Sequence, residues 1–121
     1  MVLGLRGRQN DHLTNLVRNA TITNSNNYPY FNVRLIRISN YCILQADIRK
    51  DTAFVNDEIV FTLPNGFKNI GADYVQASGT KTDGTFVRQQ LLLTTDNKVK
   101  ITYDNSALFI DFVKIYTTAD A

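Results

Sequence analysis

From Ala20 onward, short runs of alternating apolar and polar residues are closed by clusters of Asn, Asp, Ser, Gly and Pro. A chain with that rhythm has few options besides antiparallel β-structure, because a period of two places every second side chain on one face of a pleated strand. The acidic residues point the same way. Ten of the eleven are Asp, Glu58 is the single Glu, and Asn and Thr number thirteen each. Glu favours helices, whereas Asn, Asp and Thr compete for local backbone hydrogen bonds and so gather in turns, caps and strands. At 121 residues with 44% hydrophobic content, the chain has the size and balance of one soluble domain with a core.

The strands follow from the alternation. Phe31, Val33 and Leu35 share a face opposite Asn32, Arg34 and Ile36, and this strand runs through Ile38 to a turn at Ser39-Asn40. Tyr41 to Lys50 returns with Cys42, Leu44, Ala46 and Ile48 inward, completing a hairpin. Glu58 to Leu63 is a short strand closed by Pro64-Asn65-Gly66, a segment that accepts the positive φ of a tight turn. Asp73 to Ser78 and Phe86 to Thr94 flank a second hairpin signal, Thr82-Asp83-Gly84. Lys98 to Tyr103 turns Val99, Ile101 and Tyr103 inward, and Leu108 to Thr117 closes the set with a phase slip expected near Val113. The expected architecture is an all-β antiparallel sandwich of about eight strands, jelly-roll-like. Residues 1–19 read as an arm or linker, with Asp11 to Val17 able to hold a helical turn, and residues 20–121 as the domain.

Several functional classes fall away. No apolar run approaches the roughly 18 residues of a membrane span, and Met1 to Gly7 lacks the apolar stretch of a secretory signal. The net charge of +2 comes from scattered Lys and Arg, which argues against a dedicated nucleic-acid binder. Cys42 is the only cysteine, so no intrachain disulfide or clustered-cysteine zinc site forms, and its apolar phase marks it as a core residue. Calcium-loop spacing and a glycine-rich phosphate loop are missing, and the expectation is no metal and no cofactor.

Catalysis is short of parts. His12, the only histidine, lies beside Asp11 and some thirty positions from Cys42. Asp57 and Glu58 are adjacent and point to opposite faces, while Asp47 with Asp51, or Asp83 with Asp104, meet only if the fold joins them. The expectation is a protein that is not an enzyme. Asn19-Ala20-Thr21 matches the glycosylation pattern by chance in a chain without a secretory signal. The positive signal is the loop Asn24-Ser25-Asn26-Asn27-Tyr28-Pro29-Tyr30, which pairs aromatic rings with amides. Rings stack on the apolar faces of sugars and amides bind hydroxyls, so Asn26, Asn27, Tyr28 and Tyr30, with Asp83 from the later turn, form the candidate ligand site.

The order of these pieces resembles the C-terminal receptor-binding domains of bacteriophage tail fibres and baseplate proteins. The resemblance runs over about residues 17–118. It is carried by Ala20-Thr21-Ile22-Thr23-Asn24, by Phe31 to Arg37 with Cys42 to Ile48, by Ile59 to Phe67 with its Leu63-Pro64-Asn65-Gly66-Phe67 ending, by Val99-Lys100-Ile101, and by Ile115-Tyr116-Thr117-Thr118. The chain departs from that pattern in lacking Trp and in reading Phe67-Lys68-Asn69 after the turn. The resemblance implies a homotrimeric virion protein of the tail tip or baseplate, made in the host cytoplasm, that binds a host cell-wall saccharide without catalysis. Residues 1–20, with Arg6, Arg8 and Arg18, would then attach to other tail proteins. The alternative is a structural tail or baseplate module that docks virion proteins and binds no glycan.

Overall fold

The computed structural model describes residues 17–120. Among them there are eight strands and no helix: β1 (Val17–Ala20), β2 (Tyr30–Ile38), β3 (Tyr41–Arg49), β4 (Ile59–Thr62), β5 (Asp73–Thr80), β6 (Phe86–Leu93), β7 (Lys98–Ile101) and β8 (Phe109–Thr117). Every pairing is antiparallel. The strands form one sheet in the order β1-β2-β3-β8-β5-β6-β7-β4. That sheet curls until its two halves enclose a common core, so Phe31 on β2 meets Phe61 on β4 edge to face, ring centroids 6.0 Å apart. The expected helical turn over Asp11 to Val17 lies almost wholly outside the described residues, and Val17 begins β1. The sheet thus starts three residues before the expected domain boundary at Ala20.

The inward phase fixes the register. Cys42, Leu44, Ala46 and Ile48 on β3, Ile110 on β8, Leu91 and Leu93 on β6, and Val99 and Ile101 on β7 have no exposed surface. Each large apolar side chain among them contributes about 1.5–3 kcal/mol on burial, so a one-residue slip that turned such a row to solvent would cost far more than any turn stabilises. The slip expected in β8 does not occur: β3 and β8 pair without interruption from Tyr41↔Thr117 to Arg49↔Phe109. Lys114 keeps the inward phase and ends in an ion pair with Asp73, Nζ to Oδ2 2.7 Å. The irregularity falls instead in β4, between Ile59 and Phe61. Tyr103, expected inward, lies beyond the end of β7 and is 40% exposed.

Turns behave as their residues dictate. Phe67 N–H donates to Pro64 O at 3.1 Å, which makes Asn65 and Gly66 the central residues, and Gly66 takes φ 88°. A positive φ at the second central position is the type II geometry that glycine accepts without a Cβ penalty. Ser39 takes φ 54° in the β2–β3 turn. Arg37, inward on β2 beside that turn, is buried and donates from Nε to Ser39 O at 2.7 Å, from Nη1 to Gly66 O at 2.7 Å and from Nη2 to Asp120 O at 2.5 Å. The Asp120 carboxylate in turn accepts the N–H groups of Gly66 at 2.9 Å and Lys68 at 3.1 Å. One buried cation thus joins the first hairpin, the Pro64 turn and the C-terminal tail.

Candidate functional site

Antiparallel order gathers four connections at one end of the sheet: residues 21–29, 50–58, 81–85 and 102–108. Tyr30, Arg49, Phe109, Thr80 and Phe86 form the last row of paired residues before those loops. Between the first two loops lies a cleft of about 460 Å³ walled by Asn26, Asn27, Pro29, Lys50, Asp51 and Glu58. A second, of about 320 Å³, opens between Arg49 and Phe109 on one side and Thr80 to Thr82 on the other.

The first loop is built by its own amides. Asn24 Oδ1 accepts Tyr28 N–H at 2.9 Å while Asn24 Nδ2 donates to Tyr28 O at 3.1 Å, closing the turn around Asn27, which takes φ 53°. This is the local side-chain-to-backbone bonding that makes Asn a turn residue. Asn26 Nδ2 donates to Tyr28 Oη at 2.8 Å and to Ile59 O at 2.7 Å, which ties the loop to the start of β4.

Tyr28 is therefore not a solvent-facing stacking ring. It is 7% exposed, with its ring against Phe31 and Phe54 at centroid separations of 6.2 and 5.9 Å. Its hydroxyl donates to Glu58 Oε2 at 2.7 Å. Burial first, and the Glu58 carboxylate second, push the Tyr28 phenol far above its ordinary range, so it stays a donor. Glu58 Oε1 accepts from Lys50 Nζ at 2.7 Å and from Val55 N–H at 3.1 Å. Lys50 Nζ also lies 5.2 Å from the Phe54 ring centroid. The cleft wall is thus a rigid, mixed-charge surface in which Asn27, Asp51 and Thr52 are exposed.

The structure brings Asn26, Asn27 and Tyr28 of the sequence-derived site together at this cleft. Tyr30 opens β2 on the outer face of the sheet, opposite Arg49 and 47% exposed. Asp83 belongs to another loop, the β5–β6 turn, three strand spacings or about 14 Å across the sheet from β2. There its carboxylate accepts Thr85 N–H at 2.9 Å, and hydrogen bonding from Thr85 holds it below the usual carboxylate range. Sequence reasoning passed over Lys50, Glu58, Asp51 and Thr52 as cleft residues. The one available signal was compositional, since the single Glu of the chain is the residue that anchors the wall.

The carboxylate pairs resolve differently from the candidates read in the sequence. Asp47 meets Asp111, its direct cross-strand partner on β8, on the outer face of the sheet. Desolvation, then the Asp47 charge, raise the Asp111 carboxyl. Asp57 turns to Lys100, Oδ1 to Nζ 3.2 Å, while Glu58 turns inward. Cys42 is fully buried, and burial raises its thiol. His12 and Asp11 lie outside the described residues. Among the described residues no three His, Cys, Asp or Glu side chains are grouped to hold a metal ion. In comparison with known proteins, no family model and no curated protein matches the chain.

Proposed function

We propose that this chain is a non-catalytic adhesion domain of a bacteriophage tail or baseplate that recognises a host cell-surface saccharide through the cleft between residues 24–29 and 50–58. The observation that carries the reading is the composition of that cleft: exposed Asn27, Asp51 and Thr52 stand beside the apolar ring of Pro29 and a fixed Lys50–Glu58 ion pair. A sugar ring presents hydroxyls that donate and accept at once, together with an apolar face, and this wall offers groups complementary to each. Glu58 already accepts three hydrogen bonds from the protein, which suits a positioned acceptor better than a poised acid. The resemblance over residues 17–118 supplies the phage context. Shallow sites of this kind bind weakly one at a time, and repetition over a tail tip would supply avidity.

The test is titration of the purified protein with host cell-wall polysaccharide, followed by calorimetry and native mass spectrometry. Glycine at Asn27, which accepts its φ of 53°, with alanine at the exposed Asp51 and Thr52, should abolish measurable binding and leave the fold intact. Equal binding by the triple variant would reject the site, and release of reducing ends would replace adhesion with hydrolysis. A second reading, a structural module that docks other virion proteins, is favoured by the exposed Ile38, Tyr41, Val113 and Ile115 on adjacent strands of the outer face and predicts no saccharide binding at all.

A further inference from the structure

β5 and β8 are neighbours in the sheet but pair along less than half of their length. Their ladder holds at Thr80↔Phe109, Gly79↔Ile110 and Ser78↔Asp111 and ends there, although β5 begins at Asp73 and β8 runs on to Thr117. At the end remote from the loop cleft the curled sheet is therefore open between these two strands. A cleft of about 400 Å³ lies there, walled by Tyr41, Ile115 and Thr117 on one side and by Ile70, Gly71 and Asp73 on the other.

Antiparallel alternation tells which main-chain groups face the opening. Thr118 N–H donates to Asn40 O and Lys50 N–H to Leu108 O, so the even-numbered residues of β8 bond to β3. Val113, Ile115 and Thr117 then direct their N–H and C=O groups away from β3, toward the opening. On β5, Lys81 N–H donates to Thr85 O, which sets the odd-numbered residues toward β6 and leaves Tyr74 and Gln76 facing the opening. Among the described residues, no turn or loop main-chain group bonds to the main chain of these five. Two strand edges thus face each other without a ladder, bridged on the inner side by the Lys114–Asp73 ion pair.

We infer that this opening takes an extended peptide segment of another protein, added as a strand along β8 from Val113 to Thr117. The main chain selects that occupant. A row of N–H and C=O groups repeating at every second residue is complementary to another extended backbone, and neither sugar hydroxyls nor lipid chains carry a matching repeat. The side chains set the pattern of the segment. Val113 and Ile115, 63% and 61% exposed, flank the edge on the outer face, and Tyr41 and Ile70 line the cleft beside them, so alternate residues of the segment are apolar. The residues between face Lys114 and Asp73 and are polar or small, because an inward charge at an open edge rejects apolar strands. The inference stands on this strand edge and not on the saccharide reading, whose cleft lies at the opposite end of the sheet.

The experiment is NMR on the full chain, titrated to roughly millimolar with the end-blocked peptide Thr-Val-Thr-Val-Thr-Val-Thr. In the free protein the amides of Val113, Ile115 and Thr117 should exchange about tenfold or more faster than those of Phe112, Lys114 and Tyr116. The peptide should slow exchange and shift resonances at the first three, and the same peptide N-methylated at every residue should do neither. Ile115→Pro removes an N–H that β3 does not use, so it should keep the fold and lose the peptide, whereas Ile115→Thr, which retains the N–H, should bind within about threefold of wild type. Protection of the three amides in the free protein, whether by β5, by residues 1–16 or by a second copy, would overturn the inference. So would a peptide that leaves them unshifted, or equal binding by the N-methylated form.

Discussion

The Tyr28 hydroxyl donates a 2.7 Å hydrogen bond to Glu58 Oε2, while Lys50 holds the other oxygen at 2.7 Å. Three loop-end residues, twenty-two and eight positions apart along the chain, thus share one carboxylate. The node is nearly dry, with the Lys50 and Glu58 side chains 18% and 12% exposed. Removing Glu58 leaves a cation, a phenol and the Val55 N–H without their acceptor. Glu58→Ala is expected to destabilise by about 3 kcal/mol, and Tyr28→Phe, which deletes the bonds to Glu58 and from Asn26 but keeps the ion pair, by about 1.5 kcal/mol. Urea unfolding of both variants checks the order; equal effects would mean that the Lys50 pair contributes nothing.

Arg37 should be irreplaceable by Lys. Its guanidinium reaches three carbonyls, Ser39 O, Gly66 O and Asp120 O, from one planar group, and an ammonium cannot span all three. Arg37→Lys is expected to cost about 2 kcal/mol and to speed amide hydrogen exchange at Gly66 and Lys68, whose N–H groups rest on the Asp120 carboxylate. Unchanged exchange at these two amides would separate the C-terminal tail from the Arg37 node.

Gly79 is required by space. A Cβ there would lie 3.0 Å from Val87 Cγ2, 3.1 Å from Ala107 Cβ and 3.3 Å from Val87 O. Gly79→Ala should destabilise by about 2 kcal/mol through this overpacking, whereas Gly71→Ala, with nothing within 4 Å, should be neutral or slightly stabilising. Thermal unfolding of the pair decides it.

The Asp47–Asp111 pair should leave a signature in the pH dependence of stability. Asp111 is raised by desolvation and then by Asp47, so the folded state binds its proton more tightly than the unfolded chain does. A raised carboxyl therefore costs stability above its folded pKa, and that cost fades as pH falls through it. Asp47→Asn should lower the Asp111 pKa, read by carboxyl NMR titration. The same variant should add about 0.5 kcal/mol at neutral pH, a gain kept small by solvent screening and lost once Asp111 is protonated. An Asp111 titration indifferent to Asp47 would leave desolvation as its sole cause.

The alternation in β2, β3 and β7 was legible because one face of each is buried, and a period of two then encodes both the strand and its inward side. The bounds follow within a residue or two: Tyr30–Ile38 for the expected Phe31 to Ile38, and Phe109–Thr117 for Leu108 to Thr117. Turn chemistry was local too, as Gly66 at φ 88° and Gly84 at φ 82° confirm. Phe54 and Arg37 were not legible as structural centres. Phe54 is fully buried from within a connection, and Arg37 is a buried charge whose three acceptors lie on segments distant in sequence.

The loop 24–30 shows where local information stops. Its surplus of amides and rings read as a ligand site, yet Asn24, Asn26 and Tyr28 turn largely to building the loop, and the exposed groups of the cleft come half from residues 50–58. The sequence by itself determined that the chain is an antiparallel all-β protein, where β2 to β8 lie and which face of β3 turns inward, because those properties depend on a residue and its near neighbours; β1, inside the stretch read as an arm, was not among them. Only the tertiary structure decided that the strands form one curled sheet, that Tyr28 lies beneath Glu58, that Asp47 opposes Asp111 and that an isoleucine face stays open. Each of these depends on which strand lies beside which, and a side-chain period of two carries no information about that.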